Sequence, residues 1–310
     1  MHTPQKNSTN RSLLFFFKTI LILALLTATD SCKPYYDTAL ATVNNNVCKK
    51  LRGKVILYAI FVDTRYTQPW SAYDITSTLD SIKRATKWIE AEAAKSGIEL
   101  DIEIQNYQNG KVIPLVNDLP RRTLSSTLFS PNLYYGIRNL DRWSDQLAKK
   151  AGQTLPKDTS LIINTKNRLS DRERLIAKLR DVNKTDNVAL MYFVNNYYEE
   201  ELSVTLHTGE INNIEYSIVS FKDPSVIAHE FLHLFGALDL YINPLIKRHS
   251  QKMEKLAMNE FPNEIMAFTY RDLSQLDISG FTKYMIGWYN VMDDKYSNLL
   301  LGKRIRPLKY

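Results

Sequence analysis

His229, Glu230 and His233 stand as H-E-x-x-H at the head of the stretch HEFLHLFGALDLY. On a helix, residues four apart lie one above the other on one face, so both imidazoles can reach a single metal ion. Glu230 lies beside them and can act as base toward water that the metal activates. Two imidazoles plus one carboxylate and an open position suit catalytic zinc, so Zn2+ is the expected cofactor. Gly236 can take the left-handed conformation that ends a helix and turns the chain. Asp239, six residues past His233, can then swing back as the third ligand. Glu254, Glu260 and Glu264 are the rivals for that place.

The element that must carry these groups is apolar on most faces. Val226, Ile227, Phe231, Leu232, Leu234, Phe235 and Leu238 surround the motif, and such a helix is a buried one. Two His and a Glu buried there need something that satisfies them, and a metal does so. Asp223-Pro224-Ser225 predicts the helix start, with Asp223 as N-cap and Pro224 in the first helical position.

The pattern H-E-x-x-H-x-x-G-x-x-D resembles that of metzincin zinc peptidases, and Asp in the last place resembles snapalysin. HEFLHLFGALDLY is also similar to the motif stretch of immune inhibitor A-type peptidases. Asn263-Glu264-Ile265-Met266-Ala267-Phe268 resembles the metzincin Met-turn, in which a Met side chain forms an apolar floor under the metal. The resemblance spans about Asp223 to Phe268. It implies His229, His233 and Asp239 as zinc ligands, Glu230 as the catalytic base and Met266 as the floor. A later Glu as third ligand would instead follow the gluzincin manner. Two features depart from the commoner metzincin pattern. The third ligand is Asp rather than His, a harder donor, and Phe268 stands where several relatives carry a Tyr.

Upstream, Lys54 to Val62 is a continuous apolar run and predicts a buried strand. Helical spacing from Ser71 to Ser96 ends at Gly97, and Ile98 to Ile104 alternates as a strand. Strand, long helix, strand is the usual way to make a parallel pair. Residues 106–131 read as an irregular surface insertion. A helix is expected over Tyr134–Ala151, a short strand over Ser160–Asn164, and a helix opened by the capping box Ser170–Glu173. Val188–Val194 predicts another buried strand. Leu202–His207 and Ile214–Phe221 predict a hairpin across Thr208-Gly209-Glu210, with His207 as a surface strand residue. In peptidases of the clan just named, a strand bordering the cleft pairs with the substrate backbone, which gains main-chain hydrogen bonds. Lys247–Glu260 and Leu273–Tyr289 predict two further helices.

The chain has 310 residues and a formal charge of +7. Its basic residues are scattered, and none interleave with aromatics in a nucleic-acid-binding pattern, so no nucleic acid partner is expected. Residues 1–31 read as an export signal: Lys6, Arg11 and Lys18 precede or interrupt an apolar run too short to span a bilayer. Cys32 follows it directly, which suggests a lipoprotein lipidated on Cys32. Ordinary cleavage with a Cys32–Cys48 disulfide is the alternative. Residues 32–52 read as a flexible tether.

The expectation is therefore an α/β (α+β) domain over 53–310, with a mixed twisted sheet and helices in an upper part, 53–235, and a small mainly helical lower part, 236–310. Its expected activity is hydrolysis of protein or peptide substrates by zinc-activated water, as an endopeptidase. The protein is expected as an exported monomer, secreted or in the cell envelope, touching a membrane only through lipid on Cys32. The rival readings are a non-catalytic peptide-binding pseudo-peptidase and a surface lipoprotein. The intact Glu230 argues against the former, since a binding module needs no base there.

Overall fold

The computed structural model describes residues 50–108, 112–153, 170–195, 202–210, 213–242, 251–296 and Leu299. The export leader, Cys32, Cys48 and the strand expected at Ser160–Asn164 lie outside the described residues. The chain opens with β1 (Gly53–Asp63), α1 (Ala72–Lys95) and β2 (Leu100–Asn106). Ser71 caps α1 in a capping box with Asp74, and Gly97 beyond its end has φ +70°. β1 and β2 pair in parallel, as the strand–helix–strand reading predicts.

The segment read as an irregular insertion contains a two-residue strand, β3 (Leu115–Val116), and a short helix, α2 (Leu124–Leu128). Then follow α3 (Leu133–Gly152), α4 (Asp171–Asn183), β4 (Asn187–Val194), β5 (Val204–Leu206), β6 (Tyr216–Val219) and α5 (Pro224–His233). The sheet order is β2-β1-β4-β6-β5, with β3 pairing the end of β1. β5 runs antiparallel to β6, while the other pairs are parallel, so the sheet is mixed.

The apolar runs of β1 and β4 are continuous because both faces of the sheet are covered. Val55, Leu57, Ala59 and Phe61 join one core with Ile82, Ile89, Ile227 and Phe231 of α1 and α5. Ile56, Tyr58, Ile60 and Val62 join a second core with Leu140, Trp143, Leu147 and Leu175 of α3 and α4. Side chains of a strand alternate between faces, so one run feeds both layers.

Past α5 the chain forms a smaller, mostly helical region. It holds α6 (Gln251–Glu260), a 3-10 turn at Leu273–Gln275, α7 (Gly280–Met285) and a second 3-10 turn at Asp294–Tyr296. The single helix expected over Leu273–Tyr289 is broken. Leu276 is extended, Asp277 bridges to Glu264, and Ser279 starts a new helix as its N-cap. The start of the domain is fastened to this region. Leu51 N donates to Ile286 O (2.9 Å), Trp288 Nε1 donates to Leu51 O (2.6 Å), and the Arg52 guanidinium donates to the carbonyls of Gly287 and Trp288.

The hairpin tip is fixed differently from the sequence expectation. The His207 side chain is buried rather than at the surface, and the residue's backbone is left-handed at φ +66°. Its Nε2 lies 2.8 Å from Asp141 Oδ1 on α3 and its Nδ1 2.9 Å from Glu210 Oε2. The same Asp141 oxygen accepts from Arg172 Nη1 (3.1 Å) and from the Tyr216 hydroxyl (3.1 Å). Arg172 also donates to Asp145 and lies over the Tyr216 ring. Edge strand β5 is thereby tied to α3 and α4 through one carboxylate.

Candidate metal centre

Helix α5 starts as its sequence dictates: Asp223 Oδ1 accepts from Ser225 N at 2.9 Å, and Pro224 occupies the first turn. All its residues are buried, so the two imidazoles and the carboxylate have left water. His229 and His233 sit one turn apart, with ring centroids 4.6 Å apart. The helix ends at a turn where Gly236 has φ +95°, a backbone that disfavours any side chain. That turn carries Asp239 back to the imidazoles.

Three atoms converge. His229 Nε2 and His233 Nε2 are 3.1 Å apart, and each is 3.1 Å from Asp239 Oδ1. Neighbouring ligand atoms of a tetrahedral zinc stand about 3.3 Å apart, so the triangle has the right size. The outer nitrogens are fixed as well. His229 Nδ1 lies 3.1 Å from Ile265 O and His233 Nδ1 2.8 Å from Ala237 O. A carbonyl can only accept, so each Nδ1 carries the proton and each Nε2 turns toward the cluster. Two imidazole lone pairs and a carboxylate oxygen aimed at one point repel one another unless a cation or proton sits between them. The donor set therefore fits a metal ion, and His229, His233 and Asp239 form a buried cluster with metal-ligand spacing.

Burial opposes charge on both His233 and Asp239, and their mutual attraction overrides it. The imidazole is raised to about 9, and the carboxyl is held well below the usual carboxylate range. Glu230 lies beside the cluster. Burial raises its carboxyl, and the charges of His233 and His229 and a hydrogen bond from Thr205 partly offset this. Thr205 Oγ1 is 2.6 Å from Glu230 Oε2.

The rival third ligands are engaged elsewhere. Glu254 accepts from Ile242 N, and Glu260 pairs with Lys295 and Tyr296. Glu264, fully buried, accepts from Met266 N (3.1 Å) and Ser279 N (2.6 Å). Its carboxylate thus shapes the turn over Glu264–Phe268, whose Ala267 N and Phe268 N bond to Glu264 O. Met266 is fully buried, and its carbonyl accepts from Leu240 N at 3.0 Å. That bond and the one from His229 to Ile265 lay the turn against the metal-ligand segment.

Thr205 and Tyr241 are site residues that sequence reasoning did not single out. Tyr241 stacks on His229, with centroids 6.1 Å apart and planes at 23°. Burial, and then the charge of Asp239, raise its phenol far above the ordinary value. Its place two residues beyond the third ligand, at the end of the motif stretch, was the available signal. Groups that orient metal ligands contribute roughly 10–100-fold to affinity. Tyr241→Phe is therefore expected to weaken zinc binding about tenfold, measured by competition with a chelating dye. An unchanged affinity would mean that the phenol does not support Asp239 in the metal-bound site.

No protein-family model matches the chain, and no curated protein or solved structure matches it.

Proposed function

We propose that this protein is a zinc-dependent peptidase of metzincin type. His229, His233 and Asp239 hold the metal, Glu230 is the catalytic base, and Met266 is the floor of the site. The observation that carries the reading is a buried carboxylate, Glu230, on the helix that supplies two of three ligand atoms converging at 3.1 Å. A structural metal site needs no second buried carboxylate beside its ligands.

Zinc in this position supplies a Lewis acid for the scissile carbonyl and lowers the pKa of water toward neutrality. The rest of the chemistry belongs to the chain. Glu230 takes one proton from the attacking water as its oxygen bonds to the carbonyl carbon. It then gives that proton to the amide nitrogen as the C–N bond breaks. One product leaves with a new carboxyl group and the other with a new amine. Burial raises the Glu230 carboxyl, which makes it a better proton acceptor than an exposed glutamate.

Substrate approach is supported by the sheet. β5 is the end strand of the path, beside the helix that carries Glu230, and Thr205 of β5 touches that carboxylate. A peptide lying along this edge gains main-chain hydrogen bonds and brings its carbonyl to the metal cluster. The proposal extends to an exported monomer acting on protein or peptide substrates, with lipid on Cys32 as its one membrane contact.

The test is metal-dependent proteolysis. The purified chain with one equivalent of zinc is expected to cleave an unfolded casein substrate. A chelator should stop cleavage, and added zinc should restore it. Absence of cleavage, or cleavage indifferent to chelator, would contradict the reading.

A further inference from the structure

We propose that Thr205 is the positioning residue of Glu230, holding the base in place from the strand along which the substrate lies. This rests on the peptidase reading above. Val204 and Leu206 face the core under α3 and α4, so strand alternation turns Thr205 to the opposite face, toward α5. There its hydroxyl lies 2.6 Å from Glu230 Oε2 and 3.1 Å from Glu230 O.

The hydroxyl has one proton and two acceptor lone pairs. The shorter contact to the carboxylate takes the proton, because charge-assisted bonds are the stronger ones. The Thr205 oxygen is then free to accept, and Ser217 Oγ stands 2.6 Å away. Ser217 is directly opposite Thr205 in the β5–β6 pairing, fully buried, and also within 3.2 Å of Glu230 O. A chain of hydroxyls thus runs from the sheet to the base, and each link strengthens the next.

Two features keep this hydroxyl where it is. A β-branched side chain has few rotamers, so Oγ1 does not wander. A one-residue slip of β5 would send Thr205 to the other face, and the His207–Asp141 contact just beyond Leu206 opposes that slip. Neither the metal ligands nor the oxygen of the substrate touches Thr205 in this account; it acts only through Glu230.

The test compares zinc-loaded wild type, Thr205→Val and Thr205→Ser. Valine keeps the shape and removes the hydroxyl, while serine keeps the hydroxyl. Misplacing a catalytic group by about 1 Å can cost on the order of 100-fold. Thr205→Val is expected to lower kcat about 10- to 100-fold with KM within about twofold, because the lost contact orients the base and does not bind substrate. Thr205→Ser should return kcat to within about fivefold of wild type. Zinc content should be one equivalent in all three.

A crystal structure of zinc-loaded Thr205→Val supplies a readout that needs no turnover: the Glu230 carboxylate should leave the place it holds in wild type. Wild-type kcat in Thr205→Val, a change confined to KM, failure of serine to rescue, or an unmoved carboxylate would each overturn the proposal. If wild type itself cleaves nothing, the peptidase reading fails, and with it a catalytic role for Thr205. The crystal structures would still decide whether Thr205 holds the carboxylate.

Discussion

Asp239→Ala is expected to lower zinc affinity by about 10²–10³-fold. Structural zinc sites are worth about 10–16 kcal/mol over four ligands, so one ligand accounts for roughly a quarter of that. The remaining donors would be two imidazoles on consecutive turns of α5. Among the described residues, the rival carboxylates Glu254, Glu260 and Glu264 are each bound elsewhere. Peptide cleavage should vanish at zinc concentrations that saturate wild type. Competition with a chelating dye measures the affinity. An affinity equal to wild type would show that Asp239 is a turn residue and that the third ligand lies elsewhere.

Asp141→Asn is expected to give the largest loss of stability away from the site. One oxygen of Asp141 serves Arg172, His207 and the Tyr216 hydroxyl, all within 3.1 Å. Asparagine keeps the size and removes the charge, leaving two buried cations short of a counter-ion. Breaking such a cluster costs about 3–5 kcal/mol, which for a domain of this size lowers Tm by on the order of 10 °C. The loss should depend on pH. Burial opposes a charge on His207, but Asp141 and Glu210 override it and raise the imidazole from 6.5 to about 9.

A raised imidazole contributes fully below its unfolded value near 6.5, and the contribution fades as pH climbs through 9. Asp141 and Glu210 are also buried, and their bonds to His207 hold both carboxyls low, so their share is lost as pH falls into the carboxylate range. The Tm difference between wild type and Asp141→Asn should therefore be widest near pH 6 and narrow toward pH 9. A difference that is small or flat over that span would mean that His207 is not held charged by this carboxylate.

Much of the fold could be read from local pattern. β1, α1, β2, β4 and α5 are long runs whose periodicity and caps agree with their packing, and the structure finds each within a few residues of its expected place. What the sequence hid is set by distant partners. His207 reads as an ordinary strand residue because Asp141, the group that explains its burial, lies 66 residues away. Leu273–Tyr289 has helical spacing, yet Glu264 claims Ser279 N and pairs with Asp277, and those tertiary bonds break the helix.

The His229–His233–Asp239 cluster shows both sides of this. His229, His233 and Asp239 sit within eleven residues of one another, so their convergence follows from a helix and a turn. The carbonyls of Ile265 and Ala237, which fix the imidazoles, carry no sequence signature because any residue supplies a carbonyl. Thr205 was equally invisible: one hydroxyl in a short strand becomes informative only when Glu230 is placed beside it.

Glu230 is proposed as the base at a metal held by His229, His233 and Asp239. The most direct measurement is cleavage of a diverse peptide mixture by the zinc-loaded chain and by its Glu230→Gln counterpart, with products read by mass spectrometry. General-base catalysis contributes about 10²–10⁴-fold, so new termini should form with wild type and slow by that factor or more with Glu230→Gln, while both proteins hold one equivalent of zinc. Equal cleavage at the same bonds by the two proteins would contradict the account.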